Sequence, residues 1–190
     1  MKKIMILILV LVSLSVYPAY ALEQLVYPVK GEHKGSSLLP KQAFEMLNAN
    51  PEHTNLVDIR TRYEYQDIGH PIGAHNIPFQ FYTTKVGEKG YEKVLNKSFC
   101  EDLKARFNQE SDSVLFLCRS GVRAIFASNA AVDCGFKEEN IFVILGGFEG
   151  DKIKDKNSPF FGKRMVGGWR LEGLPWTYKM DSQLMYQPDL

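Results

Sequence analysis

Two runs of this chain are apolar at every position, Val114-Leu115-Phe116-Leu117 and Ile141-Phe142-Val143-Ile144, and a third, Leu56-Val57-Asp58-Ile59, is broken only by its aspartate. A strand with one face in water alternates polar and apolar side chains, whereas a strand apolar throughout needs cover on both faces. Helical stretches separate these runs. Pro40 suits a first helical position, with Ala43, Phe44 and Leu47 on one face, and Phe99, Leu103 and Phe107 fall four apart. Ala124-Ile125-Phe126-Ala127-Ser128-Asn129-Ala130-Ala131 continues toward Gly135, a natural helix stop. Buried strands alternating with helices imply an α/β fold with a central, mostly parallel sheet and helices on both faces. In such folds ligands sit at the carboxyl ends of the strands.

At the carboxyl end of the Val114–Leu117 run stands Cys118-Arg119-Ser120-Gly121-Val122-Arg123, and a helical stretch follows at once. Backbone N–H groups of a tight loop that opens a helix, with the positive end of the helix dipole, form a cradle for an anion. The same field favours thiolate over thiol, and Arg119 and Arg123 sharpen it. Cys118 is therefore the candidate nucleophile, awaiting an anionic substrate. A cysteine after an apolar strand is more often a small buried hydrophobe; the arginines and the helix start reverse that for Cys118. Cys134 has no such surroundings and reads as core, and Cys100 as structural or surface.

The chain opens on Lys2-Lys3, an apolar stretch from Ile4 to Val16, and Ala19-Tyr20-Ala21. This is the pattern of a secretory signal peptide cut after Ala21, which predicts a periplasmic or otherwise exported protein. The stretch is shorter than the roughly 20 apolar residues a membrane span wants. An uncleaved anchor is the lesser alternative, and after cleavage no stable membrane span is expected. From Leu22 onward 21 basic residues face 22 acidic ones. That balance gives no hint of nucleic-acid binding. Three cysteines are few, and odd in number, for an exported chain stapled by disulfides. At least one thiol stays unpaired in the monomer; a Cys100–Cys134 bridge is open, but nothing in the spacing supports it. A free thiol in an oxidising compartment needs a reductant or a protective adduct.

Residues 22–39 read as an irregular leader, 40–178 as the domain and 179–190 as a C-terminal tail. Tyr63-Glu64-Tyr65 suggests a short helical turn, and His75-Asn76-Ile77 a short strand after the breakers Gly69, Pro71 and Gly73. Phe148 to Asn157 is charged and glycine-rich, a loop, and Val166 to Thr177 docks back with Trp169 and Trp176 as core anchors. His70 and His75 are spaced unlike a helical metal-binding pair, which favours a turn-stabilising role. Lys152, Lys154 and Lys156 alternate with Asp151 and Asp155 as a solvated face.

Three groups of residues, in order, carry a family resemblance. Leu56-Val57-Asp58-Ile59-Arg60, Glu64-Tyr65 and Gly69-His70-Pro71-Ile72-Gly73-Ala74-His75-Asn76-Ile77-Pro78 resemble the N-terminal motif of rhodanese domains. The Cys118–Arg123 loop resembles their active-site loop. Gly146-Gly147 and Gly168-Trp169 through Gly173-Leu174-Pro175-Trp176 resemble their C-terminal signature. The resemblance spans about Pro40 to Thr177 and implies a rhodanese-like α/β fold. Two stretches are longer than in small members, Tyr82–Ser113 and Glu149–Val166, and both read as insertions near the rim of the site. Cys118 and Arg123 enclose four residues, as in the sulfurtransferases; related phosphatases place five there, so the loop argues against phosphatase or arsenate-reductase chemistry.

The resemblance implies a sulfurtransferase that uses no metal and no organic cofactor. Cys118 would take sulfur from a small anionic donor such as thiosulfate and pass it to a thiol or protein acceptor. Arg119, Ser120, Gly121, Val122 and Arg123 would bind substrate and persulfide, with Arg119 reaching toward solvent to meet the donor's sulfonate. Arg123 would fold inward onto a carboxylate. Asp58 is the preferred partner, with Glu64 pairing Arg60, although Asp58 and Arg60 form an equally good structural ion pair. The competing reading is a non-catalytic rhodanese-like module that binds another exported protein through its inserted segments.

Overall fold

The computed structural model describes residues 31–187 apart from Lys89; the expected signal segment and its expected cleavage after Ala21 lie outside them. In chain order the elements are β1 (Ser36–Leu38), α1 (Pro40–Ala49), β2 (Thr54–Asp58), α2 (Arg62–Asp67), β3 (His70–Pro71), β4 (His75–Asn76), β5 (Gln80–Gly87), β6 (Gly90–Leu95), α3 (Phe99–Lys104), β7 (Ser113–Leu117), α4 (Val122–Asp133), β8 (Ile141–Ile144), β9 (Asp151–Lys152), β10 (Arg164–Val166) and β11 (Trp176–Thr177). Strands β1, β8, β7, β2 and β4 lie side by side in that order, every neighbouring pair parallel.

The pleat sends alternate side chains to two separate cores. Val57, Ile59, Val114, Phe116, Ile141 and Val143 meet Phe99 and Leu103 of α3 and Ala124, Ile125 and Ala127 of α4 on one face. Leu56, Leu115, Leu117 and Ile144 meet Ala43 of α1, Tyr65 of α2, and Trp169 and Leu174 on the other. The wholly apolar runs are thus explained by helices on both sides. At roughly 25 cal/mol per Å² of apolar surface removed from water, these two layers are the main stabilising term. Trp169 is buried, edge-on to Phe44, and its indole N–H donates to the Pro175 carbonyl at 2.9 Å. Trp176 is half-buried, with the Arg170 guanidinium 4.2 Å above its ring.

Several segments differ from the sequence reading. Ser36–Leu38, placed in the irregular leader, is an edge strand paired with β8; three residues are too few to show a period. The polar first half of the Tyr82–Ser113 stretch is an antiparallel hairpin of β5 and β6. The loop after Phe148 contains β9, paired antiparallel with β10. The C-terminal tail is docked: the Asn76 N–H donates to the Leu184 carbonyl at 2.7 Å, and Arg106 donates to the carbonyls of Gln183 at 3.1 Å and Met185 at 3.0 Å. It flanks β4, so the two ends of the described chain lie at opposite edges of the sheet.

Cys134, expected as core with a bridge to Cys100 left open, is joined to Cys100 in a disulfide with a Cα–Cα distance of 5.8 Å. The bridge ties the start of α3 to the C-terminal end of α4. Cys118 is the one free cysteine among the described residues.

Candidate active site

Cys118 directly follows β7 at the bottom of its loop, 1% exposed. The Gly121 N–H donates to its Sγ at 3.2 Å. Gly121 has φ +95° and forms the N-cap of α4. That left-handed conformation is open to glycine without strain, and it aims the amide at the sulfur. The first turn of α4 stands behind it, so the dipole adds to the donor. Val122 is exposed on the outer side of the loop, and Ser120 is partly buried within it.

A second turn clamps the loop from below. The Phe148 N–H donates to the Cys118 carbonyl at 2.7 Å and the Glu149 N–H to the Arg119 carbonyl at 3.0 Å. This approach needs Gly147: a Cβ there would stand 2.3 Å from the Cys118 carbonyl oxygen. The Gly146-Gly147 turn is therefore part of the cysteine's support.

The arginines fold as braces: the preferred Asp58–Arg123 and Glu64–Arg60 pairing is not the one found, and the alternative Asp58–Arg60 ion pair is. Arg123 grips Glu64, with Nη1 to Oε2 at 2.8 Å and Nη2 to Oε1 at 2.6 Å. Arg60 takes Asp58 instead, with Nε to Oδ1 at 2.9 Å and Nη2 to Oδ2 at 2.6 Å. The physical reason is local. Asp58 Oδ1 also accepts the Arg60 N–H at 3.0 Å, a tight turn that leaves its carboxylate facing Arg60. Glu64 closes a capping box with Thr61 at the start of α2, and its carboxylate faces Arg123. Both residues of the Asp58–Arg60 pair are fully buried, Arg60 Nη2 also donates to the Gly69 carbonyl at 2.7 Å, and Phe148 packs on the guanidinium at 4.3 Å. It braces the frame of the site from within the core.

Charge follows this geometry. Burial pushes the Glu64 carboxyl upward, but hydrogen bonds and charge from Arg123, with help from Thr61, hold it down at about 2. Burial pulls the Arg123 guanidinium down; Glu64 outweighs it and Cys118 adds to the rise, so Arg123 stays protonated. A permanent cation thus stands in the field of the sulfur.

Arg119, expected to point toward solvent, is half exposed, and its Nε lies 3.2 Å from Glu149 Oε2. Sequence reasoning missed Arg164. It approaches the same Glu149 oxygen at 3.8 Å, and its charge interacts with Cys118. No motif marks it, since it belongs to the inserted stretch. His70 binds the Tyr65 carbonyl through Nδ1 at 2.9 Å and stacks on the Tyr65 ring. His75 lies against Arg106 and Phe107. Among the described residues no cluster of His, Cys, Asp and Glu is arranged to hold a metal ion.

Residues 39–154 match the Rhodanese-like domain family. The chain belongs to the rhodanese-like family. It is 32% identical to an uncharacterized protein of Rickettsia rickettsii over 138 residues, 72% of this chain and 93% of that one. It is 34% identical over 113 residues to the chloroplastic thiosulfate sulfurtransferase 16 of Arabidopsis thaliana, covering 60% of this chain and 83% of that protein. Its fold is similar to the crystal structure of Rv0390 from M. tuberculosis, with a TM-score of 0.59 and 30% identity over 78% of this chain and all of that one. Against this rhodanese-like frame, the inserted stretch is a closed excursion. The Trp169 N–H donates to the Gly147 carbonyl at 2.8 Å and the Arg170 N–H to the Phe148 carbonyl at 3.1 Å. The two halves of the C-terminal signature therefore meet in space although 18 residues, 149–166, separate Phe148 from Gly167 in the chain.

Proposed function

We propose that this protein is an exported sulfurtransferase that moves sulfane sulfur from thiosulfate or a similar donor to a thiol or protein acceptor through a Cys118 persulfide. The observation that carries the reading is the free Cys118 sulfur at the start of α4, receiving the Gly121 N–H at 3.2 Å. The similarity to the thiosulfate sulfurtransferase of Arabidopsis lends support. Export is supported by the N-terminal sequence pattern and agrees with the Cys100–Cys134 disulfide.

In the first step the Cys118 thiolate attacks the outer sulfur of thiosulfate. A sulfur–sulfur bond forms to Cys118, the donor's own sulfur–sulfur bond breaks, and sulfite leaves with its electron pair. The persulfide anion is stabilised by the loop amides and by Arg123. In the second step an acceptor attacks the outer sulfur, a thiol giving a new persulfide or cyanide giving thiocyanate, and the Cys118 thiolate returns. Two half-reactions through one covalent intermediate give ping-pong kinetics.

The test is thiosulfate:cyanide transfer by the exported chain beside Cys118→Ala, with intact mass after thiosulfate alone. Turnover and an adduct of roughly 32 Da, both lost in the variant, support the reading. No adduct with thiosulfate or with a low-molecular-weight persulfide overturns it, and a protein-binding role for the domain takes its place.

A further inference from the structure

Cys118 is buried, and charged side chains gather at the rim of its loop. Glu149 follows directly on the turn that clamps the cysteine loop, and its backbone is bonded to Arg119. One of its oxygens, Oε2, faces two guanidiniums: Arg119 Nε at 3.2 Å and Arg164 Nε at 3.8 Å. Arg119 belongs to the loop. Arg164 belongs to β10, in the inserted stretch.

Arg164 is held in place. Its Nη1 donates to the Gly150 carbonyl at 2.8 Å, and its strand pairs with β9 through Lys152. The neck of the stretch is pinched so tightly that a Cβ on Gly150 would lie 2.2 Å from the Gly167 carbonyl oxygen, and one on Gly168 2.4 Å from the Gly150 nitrogen. Yet Arg164 Nε is shielded from water and makes no hydrogen bond among the described residues. A donor shielded from water and left without an acceptor is destabilising. A ligand oxygen that accepts from it removes that cost.

Electrostatics agree with the geometry. Burial and the nearby Arg119 depress the Arg164 guanidinium, while Glu149, Asp151 and Cys118 pull the other way. Asp151 itself lies 3.8 Å from Lys154 and accepts the Lys152 N–H. The two rim guanidiniums thus share a single carboxylate oxygen. A tetrahedral oxyanion with several equivalent oxygens and two charges can accept from both at once, the arrangement arginine forks favour.

Resting on the sulfurtransferase reading above, we propose that Arg164 and Arg119 form a clamp for the sulfonate end of the sulfur donor, and that Glu149 occupies this clamp until the donor displaces it. Arg164 then sets donor choice: thiosulfate, with its sulfonate, uses the clamp, and a persulfide donor without one does not. The sulfite left after transfer is held by the same pair until Glu149 returns.

The experiment compares wild type, Arg164→Ala, Arg164→Lys and Glu149→Gln, each checked for an unchanged melting profile, with thiosulfate and with a low-molecular-weight persulfide as alternative donors. Arg164→Ala is expected to raise the KM for thiosulfate about tenfold or more, with the KM for the persulfide changed less than twofold. Arg164→Lys, which keeps the charge and loses the fork, falls between. Glu149→Gln is expected to lower the KM for thiosulfate several-fold, because the internal competitor is neutral. Equal effects on both donors, or no effect of Arg164→Ala on thiosulfate, overturn the clamp. Binding of thiosulfate to the unreactive Cys118→Ser chain, with and without Arg164→Ala, separates the two hypotheses. If wild type transfers no sulfur but this binding depends on Arg164, the sulfurtransferase reading fails and the anion clamp stands. If wild type transfers sulfur and binding ignores Arg164, the clamp alone fails.

Discussion

Helix α4 carries a cysteine at each end, and the two have opposite chemistry. Cys118 lies just before the N-terminus, under an amide donor and in the field of Arg123. Cys134 lies at the C-terminal cap, where its amide is spent on the Ala130 carbonyl at 2.9 Å and its sulfur is joined to Cys100. One end of the helix therefore offers N–H groups and positive charge, which suit a thiolate; the other offers carbonyls, which do not. Residue type alone says little about a cysteine. What decides is which end of a helix dipole it meets and whether a second sulfur can reach it. Pairing Cys134 with Cys100 also removes the other two cysteines as partners for an intramolecular bond to Cys118.

The contrast is broken most directly by exchanging the cysteines for inert residues. Cys118→Ser is expected to abolish persulfide formation and reduce transfer by at least about 10³-fold in a steady-state assay, because the covalent route is gone. Cys100→Ala with Cys134→Ala is expected to keep the transfer rate within about twofold while lowering stability. The bridge closes a loop of 34 residues, which a chain-entropy estimate values at roughly 3–4 kcal/mol; urea unfolding of the double variant measures it. Transfer lost together with the bridge would mean that the two ends of α4 are coupled.

Glu64→Gln probes the N-terminal end from outside the loop. It leaves the half-buried Arg123 with a neutral partner, and a loss of about 2–3 kcal/mol is expected in the same unfolding experiment. It also separates two pH effects of the same sign. His75 is held at about 4 by burial and by Arg106, below its ordinary 6.5. The unfolded chain binds the proton more readily, so this stability is complete above pH 6.5 and is lost as pH falls toward 4. Glu64, at about 2 against 4.5, keeps its contribution down to pH 4.5 and loses it as pH falls toward 2. Stability measured against pH should decline in two stages, and Glu64→Gln should remove only the lower one. Smallest of all is Gly121→Ala. The nearest atom to an added Cβ is 3.6 Å away, so space is sufficient. The left-handed φ costs on the order of 1 kcal/mol, and the shifted amide is expected to slow persulfide formation more than it lowers the melting temperature.

The sheet was legible because apolar runs need cover on both faces, and the two wholly apolar runs and the one broken by Asp58 appear as adjacent parallel strands, β8, β7 and β2. The cysteine loop was legible because a strand, a thiol, a glycine and a helix in sequence constrain one another over a few residues. Two- and three-residue strands such as β1, β3 and β11 carry no period to read. The Cys100–Cys134 bridge depends on α3 crossing near the end of α4, which no local spacing records. The preferred ion pairing, as against the Asp58–Arg60 alternative, failed for a subtler reason. The Asp58-x-Arg60 turn and the Thr61-x-x-Glu64 capping box both stood in the sequence, and together they aim the two carboxylates apart; weighing side-chain reach alone misassigned them. Arg164 was beyond reach altogether, because it arrives at the site by way of β9 and β10.

The pinched glycine neck at Gly150 and Gly168 has a consequence for how such a protein changes over generations. Everything between 151 and 166 leaves and re-enters the fold at one point. Codons can therefore be gained, lost or exchanged there while strand register, the cysteine loop and its supporting turn stay as they are. A lineage could revise what the rim recognises without first surviving a misfolded intermediate. The same boundary marks where a laboratory graft should be cut.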